Sequence, residues 1–170
     1  MADFYEHITP EQDKLIQDSK LFFVATADPS LGFSNLGAGP VNLSPKGGVP
    51  LQILNPNQVA YLDYVGSGNE TVRHSLKGGP ITIMVCAFDQ QNAAVVRLYG
   101  RASIRDLNDE NLSELLHHKV AENIALPERQ LVVIDIESTS TSCGYGVPVM
   151  SFDAERSIGN IGRLYKGKKT

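Results

Sequence analysis

Apolar residues come in short runs separated by polar turns. Leu21-Phe22-Phe23-Val24-Ala25-Thr26 is aromatic and β-branched and stops at Asp28-Pro29, so it predicts a strand. Further strands are predicted at 41–44, before a Pro45-Lys46-Gly47-Gly48 turn, and at 51–54 and 59–65 around Asn55-Pro56-Asn57. Residues 81–88 and 94–104, joined by the polar Asp89-Gln90-Gln91-Asn92, and residues 131–137 complete the set. Helical signals lie between them. Thr9-Pro10-Glu11-Gln12 reads as a helix start, with Thr9 as N-cap, proline in the first turn and Gln12 closing a capping box. That helix should run to about Asp18, with Leu15 and Ile16 on its apolar side. A second is predicted over 67–77, between Gly66 and Gly78-Gly79, and a third over 108–121, with Leu112, Leu115 and Leu116 on one side. A short fourth is expected around 154–165.

Several strands follow one another without a helix between them, which disfavours a doubly wound parallel sheet. A closed or split antiparallel barrel removes exposed edges. The expected fold is therefore mainly β: a six-stranded antiparallel split β-barrel with short flanking helices, one domain over 1–170. Residues 81–88 show almost no polar alternation, so both faces of that strand are expected to be buried. In so small a barrel a second subunit best covers the outer face, which predicts a homodimer.

Composition narrows the class. With 170 residues and 42% apolar content the chain suits one domain with a proper core, and 15 glycines and 9 prolines fit many turns. The net charge is -4 and the pI about 5.5. No basic stripe precedes Arg163, Lys166, Lys168 and Lys169, so no nucleic-acid partner is expected. The apolar runs are too short to span a bilayer, and residues 1–7 lack an apolar signal core, so no membrane is expected either. Cys86 and Cys143 form neither a disulfide framework nor a metal spacing, which points to a reducing compartment, the cytosol or the nucleus. His117 and His118 are adjacent on a helix and face different ways, so no metal site is expected.

The most informative segment for chemistry is Gly66-Ser67-Gly68-Asn69-Glu70-Thr71-Val72-Arg73-His74. Small residues leading into a helix leave backbone N–H groups without intrahelical partners, and such a terminus attracts phosphate. The plainer reading makes Ser67 an N-cap and Glu70 the closing residue of its capping box, and it is the commoner case. Strand alternation puts Asn42, Ser44 and Lys46 on one face against Val41 and Leu43. It also groups Arg97, Tyr99, Arg101 and Ser103 against Val96, Leu98, Ala102 and Ile104. Such polar faces either meet solvent or grip a phosphate or ring edge. In Cys143-Gly144-Tyr145-Gly146-Val147-Pro148, the glycines allow close backbone approach beside the planar Tyr145, or simply make a tight turn.

Three segments occur in order: Asn42-Leu43-Ser44-Pro45-Lys46-Gly47, residues 59–71, and Val96-Arg97-Leu98-Tyr99-Gly100-Arg101. With 142–148, they resemble a functionally unassigned subgroup of the pyridoxamine 5'-phosphate oxidase-like family over roughly residues 4–150. The resemblance implies a split barrel, a homodimer and FMN bound in two clefts at the subunit interface. It implies that residues 42–46 run along the flavin, that 67–71 face its phosphate end, and that Arg97 approaches from one side. The cofactor-binding residues expected are Asn42, Ser44, Lys46, Ser67, Gly68, Asn69, Thr71, Arg73, Arg97 and Tyr145; no catalytic residue is assigned. The family's Arg-x-His element and tryptophan-containing tail have no match in 161–166, and the chain has no tryptophan. That argues against pyridoxamine phosphate as substrate. Asn69 and Glu70 stand where the family often has basic residues, which implies weak FMN affinity. The expectation is an FMN-dependent oxidoreductase acting on an unknown small molecule. Its alternative is a non-catalytic binder or carrier of FMN or another phosphorylated ligand. Haem binding ranks third, since no histidine is placed as an axial ligand.

Overall fold

In the computed structural model, which describes residues 1–28, 30, 39–66, 68–109, 112 and 128–156, the chain runs β1 (Ala2–Tyr5), α1 (Pro10–Asp18), β2 (Leu21–Ala27), β3 (Val41–Gly47), β4 (Gln52–Asn55) and β5 (Gln58–Tyr64). It continues with α2 (Glu70–Leu76), β6 (Pro80–Cys86), β7 (Ala94–Arg105) and β8 (Glu128–Cys143). The strands form one eight-stranded sheet in the order β3-β2-β6-β7-β8-β5-β4, with β1 added against β8, and every pairing is antiparallel. Eight strands replace the six expected. Of the eight, only β1, in the polar start, has no counterpart among the strands predicted along the chain.

β8 is the spine. It pairs with β7 along its length, with β5 over its first half and with β1 over its last residues. The sequence predicted only 131–137. The run Ser138-Thr139-Ser140-Thr141-Ser142 has no apolar alternation, yet it is strand because β7 and β1 pair its backbone from both sides.

The sheet curls. β2 and β5 are not neighbours in it, yet the rings of Phe22 and Tyr61 meet edge to face with centroids 5.4 Å apart. Val24, Val59, Ile83, Leu98, Val132 and Ile134 fill the space between. β3 and β4 lie at the two ends of the strand order and do not pair, so the barrel is split there. α1 packs Ile16 onto this core. Its predicted capping box is present: Gln12 N donates to Thr9 Oγ1 at 3.3 Å, and Thr9 N donates to Gln12 Oε1 at 3.1 Å. Gln12 also ties α1 to β8, accepting from Thr139 Oγ1 and donating to Thr141 Oγ1, both at 3.0 Å.

Several local expectations need correction. β3 runs through Pro45 to Gly47, because an edge strand can spare the missing N–H, and the turn falls at Gly48 with φ 73°. The second helix starts at Glu70 rather than 67. Its cap position, Asn69, makes no side-chain cap, and Glu70 pairs with Arg73 at 2.9 Å. β6 buries Ile81, Ile83 and Val85 as expected, and Thr82 and Met84, on the face a second subunit was expected to cover, are half-buried in the single chain. Residues 151–156 have no regular structure. Ser67, most of the predicted 108–121 helix and residues 157–165 lie outside the described residues.

Candidate functional site

The site is built on an inversion. Paired residues of antiparallel strands share a face, and Asn42, Ser44 and Lys46 pair with Thr26, Val24 and Phe22, all buried. The polar side of β3 therefore looks into the seam of the split barrel, half-buried. Val41 and Leu43 face outward, 72% and 66% exposed. A solvent-facing polar face would have been the reverse.

Across the seam, Lys46 Nζ reaches Asp63 Oδ1 of β5 at 2.8 Å. Arg129, at the start of β8, gives Asp63 Oδ2 two further bonds, from Nη2 at 2.6 Å and Nε at 3.1 Å, and Gln130 Nε2 adds a third at 2.9 Å. Asp63 is buried, and burial alone would raise its carboxyl. The hydrogen bond and charge of Lys46, with the hydrogen bonds of Arg129 and Gln130, outweigh that and hold it below the usual carboxylate range. The residues leading into α2 join the cluster: Gly68 O accepts from Arg129 Nη1, and Asn69 Oδ1 accepts from Gln130 Nε2, both at 3.1 Å. Two cations share one carboxylate, with the Lys46 and Arg129 side chains 23% and 22% exposed, so the cluster keeps a net positive charge open to solvent. Beneath it lies Tyr61, whose buried hydroxyl meets no partner among the described residues. Thr71 faces it without hydrogen-bond geometry, and burial, then the charge of Asp63, pushes the phenol up.

Further along the same face, Asn42 Nδ2 donates to Thr71 Oγ1 at 3.2 Å, and Asn42 Oδ1 accepts from Ser44 Oγ at 3.0 Å. Thr26 and the buried His74 stand behind Asn42.

Of the expected residues, the structure thus gathers Asn42, Ser44, Lys46, Gly68, Asn69 and Thr71. It separates three others from them. Arg73 is an exposed partner of Glu70. Arg97 lies on the outer face of the sheet opposite Met84 and donates to Ser142 Oγ at 3.0 Å. Tyr145 is 89% exposed beyond the end of β8. Sequence reasoning missed Asp63, Arg129, Gln130 and Thr26. Asp63 had a signal: it follows Val59 and Tyr61 at inward positions, and a carboxylate turned inward needs cationic partners. A cavity of about 690 Å³ lies elsewhere, between the end of α1, the β6–β7 hairpin and Met150–Phe152, and is lined by Leu15, Leu21, Cys86 and Phe88. None of the nine expected residues that are described borders it. Lys46, Asp63 and Arg129 meet in the seam and not in this hollow. Among the described residues no group of side chains could hold a metal ion, and no helix is long and apolar enough to cross a membrane.

The family model described as pyridoxamine 5'-phosphate oxidase matches residues 8–143. The chain is 31% identical over 158 residues to the pyridoxamine 5'-phosphate oxidase family protein ustO of Aspergillus flavus, an alignment covering 91% of this chain and 59% of that protein. It therefore spans less than two thirds of that relative's length. Among solved structures, a Clostridium acetobutylicum protein of the pyridoxinephosphate oxidase family, related to general stress protein 26, superposes with TM-score 0.54 at 17% identity, covering 78% of this chain and 86% of that one. An FAD binding protein from Mycobacterium smegmatis gives TM-score 0.51 at 12% identity, covering 81% and 97%. These likenesses are of fold.

Proposed function

This chain belongs to the pyridoxamine 5'-phosphate oxidase family, and from that premise we propose that it binds FMN as a homodimer and acts as an oxidoreductase on a small molecule. The observation that carries the reading is the charge of the seam. Lys46 and Arg129 share Asp63, so one positive charge is left for an anion such as the flavin phosphate, in a half-buried setting where it is weakly screened. The donor set fits that group. The fold shared with an FAD binding protein supports a flavin as the ligand class.

A bound flavin supplies hydride and electron transfer, which no side chain here can do. The chain's residues bind and orient. Lys46 and Arg129 hold the anionic end, Asp63 fixes the two cations, and Asn42 and Ser44 line the adjoining face. The homodimer rests on the outer surface, where exposed Val41 and Leu43 adjoin the half-buried Phe23, Ala25 and Met84. A second copy covering this surface would also bury Arg97, which one chain holds apart from the seam. Two free cysteines fit a reducing compartment, the cytosol.

A second reading, a carrier that holds flavin without turnover, is favoured by one observation: Asp63 and His74 are both committed to hydrogen bonds, so neither is poised to move a proton. The test uses the purified full chain. A yellow dimer that releases FMN on denaturation, and whose colour NADPH bleaches without air, is the expected result. A colourless protein that ignores added FMN overturns the proposal. Bound FMN that no donor reduces selects the carrier.

A further inference from the structure

His74, on α2, is 1% exposed, and both its ring nitrogens are engaged. Nε2 lies 3.1 Å from Gly39 O, and Nδ1 lies 3.0 Å from Thr26 Oγ1. A carbonyl oxygen only accepts, so Nε2 carries a hydrogen. In the neutral ring Nδ1 then accepts, and the Thr26 hydroxyl donates to it. Having given its one hydrogen, Thr26 Oγ1 can only accept, and the atom that meets it from β3 is Asn42 Nδ2 at 3.5 Å, the longest link of the chain. The other hydrogen of the same amide goes to Thr71 Oγ1 at 3.2 Å. The Asn42 oxygen is thereby turned toward Ser44, whose hydroxyl donates to it at 3.0 Å. From Gly39 to Ser44 each group is left one role.

We propose that His74 is a positioning residue that sets the hydrogen-bond polarity of the seam. Through Thr26 it turns both Asn42 amide hydrogens to the barrel wall. Asn42 Oδ1 and Ser44 Oγ are then presented to the seam as acceptors, since the Ser44 hydrogen is already spent. This stretch of β3 therefore receives a ligand's N–H or O–H edge and leaves the anion to Lys46. On the flavin reading above, the edge received is the imide N–H of the ring, while the polarity itself follows from the protein alone.

Long-range ¹H–¹⁵N NMR of the labelled full chain at neutral pH reads the ring directly. Hydrogen on Nε2 with a bare Nδ1 is expected; hydrogen on Nδ1, or a charged ring, overturns the proposal. Thr26→Val keeps the shape and removes the hydroxyl. It should shift the Asn42 side-chain amide signals, and Thr26→Ser should restore them. Unmoved Asn42 signals in folded Thr26→Val protein overturn the relay, and if that variant fails to fold the wild-type ring spectrum still decides. Lumiflavin, which lacks the phosphate, should bind about tenfold more tightly than its N3-methyl derivative, the loss expected for one buried hydrogen bond. Equal affinities overturn the acceptor face. If neither lumiflavin nor FMN binds, the flavin reading falls, and the ring and amide spectra still settle the role of His74.

Discussion

At the scale of single residues the decisive group is Asp63. Its carboxylate is buried, bridged by Lys46 from one side of the split and by Arg129 and Gln130 from the other. Asp63→Asn should destabilise the fold by about 1–3 kcal/mol in urea melts, because both cations lose their partner but can turn toward water. The pH dependence has a definite sign. The folded-state carboxyl lies below its unfolded value, so its stabilisation is complete above the ordinary carboxylate range and is lost as pH falls through the lowered value. Wild-type stability should therefore drop in acid more steeply than that of Asp63→Asn, and parallel curves would show that the bridge adds nothing. Inward alternation along 59–63 made the Asp63 position legible in the sequence. Arg129 was not: it precedes the apolar run of its strand, and nothing local ties it to a residue 66 positions earlier.

Elements were legible where their cause is local. The Thr9–Gln12 box is two side chains serving each other's backbone three residues apart, so the sequence carries it whole. Thr9→Ala should cost about 1 kcal/mol in thermal or urea unfolding. Gly100 is the opposite case. In β7 it sits at a bulge where Tyr99 pairs with Ser138 but Gly100 pairs with Ile136, and a Cβ there would stand 1.9 Å from the Asp135 carbonyl oxygen. Gly100→Ala must push two backbones apart and should cost about 3 kcal/mol, read as a lowered midpoint. The need for glycine comes from β8, some 35 residues away, which no local window can display. The same reason hid the second half of β8, whose serines and threonines are strand only because neighbours on both sides pair with them. For β3 the alternation was legible but its direction was left open: its apolar residues point out and its polar ones in, because its inner face closes a seam rather than a core.

For the whole molecule, the class was readable from short strands, many turns and few helices, and the split barrel follows from an antiparallel sheet whose end strands never pair. The outer face makes the prediction at this scale. Leu43→Glu puts a charge on the outer face that exposed Leu43 and Val41 share with Phe23 and Met84, and it should convert a dimer into folded monomers in sedimentation velocity while the circular dichroism is unchanged. If the clefts are shared, the same variant should lose most of its FMN affinity. A protein already monomeric before the substitution would remove the homodimer. The long spine has a consequence for synthesis. β1 pairs with β8 alone, and β5 has only the four-residue β4 until β8 exists. On the ribosome, β1 must wait for roughly 140 residues of translation before meeting its partner, and the sheet stays a half-open intermediate with unpaired edges until then. Nascent chains arrested before residue 128 should accordingly be bound by chaperones, and those that have released β8 should not.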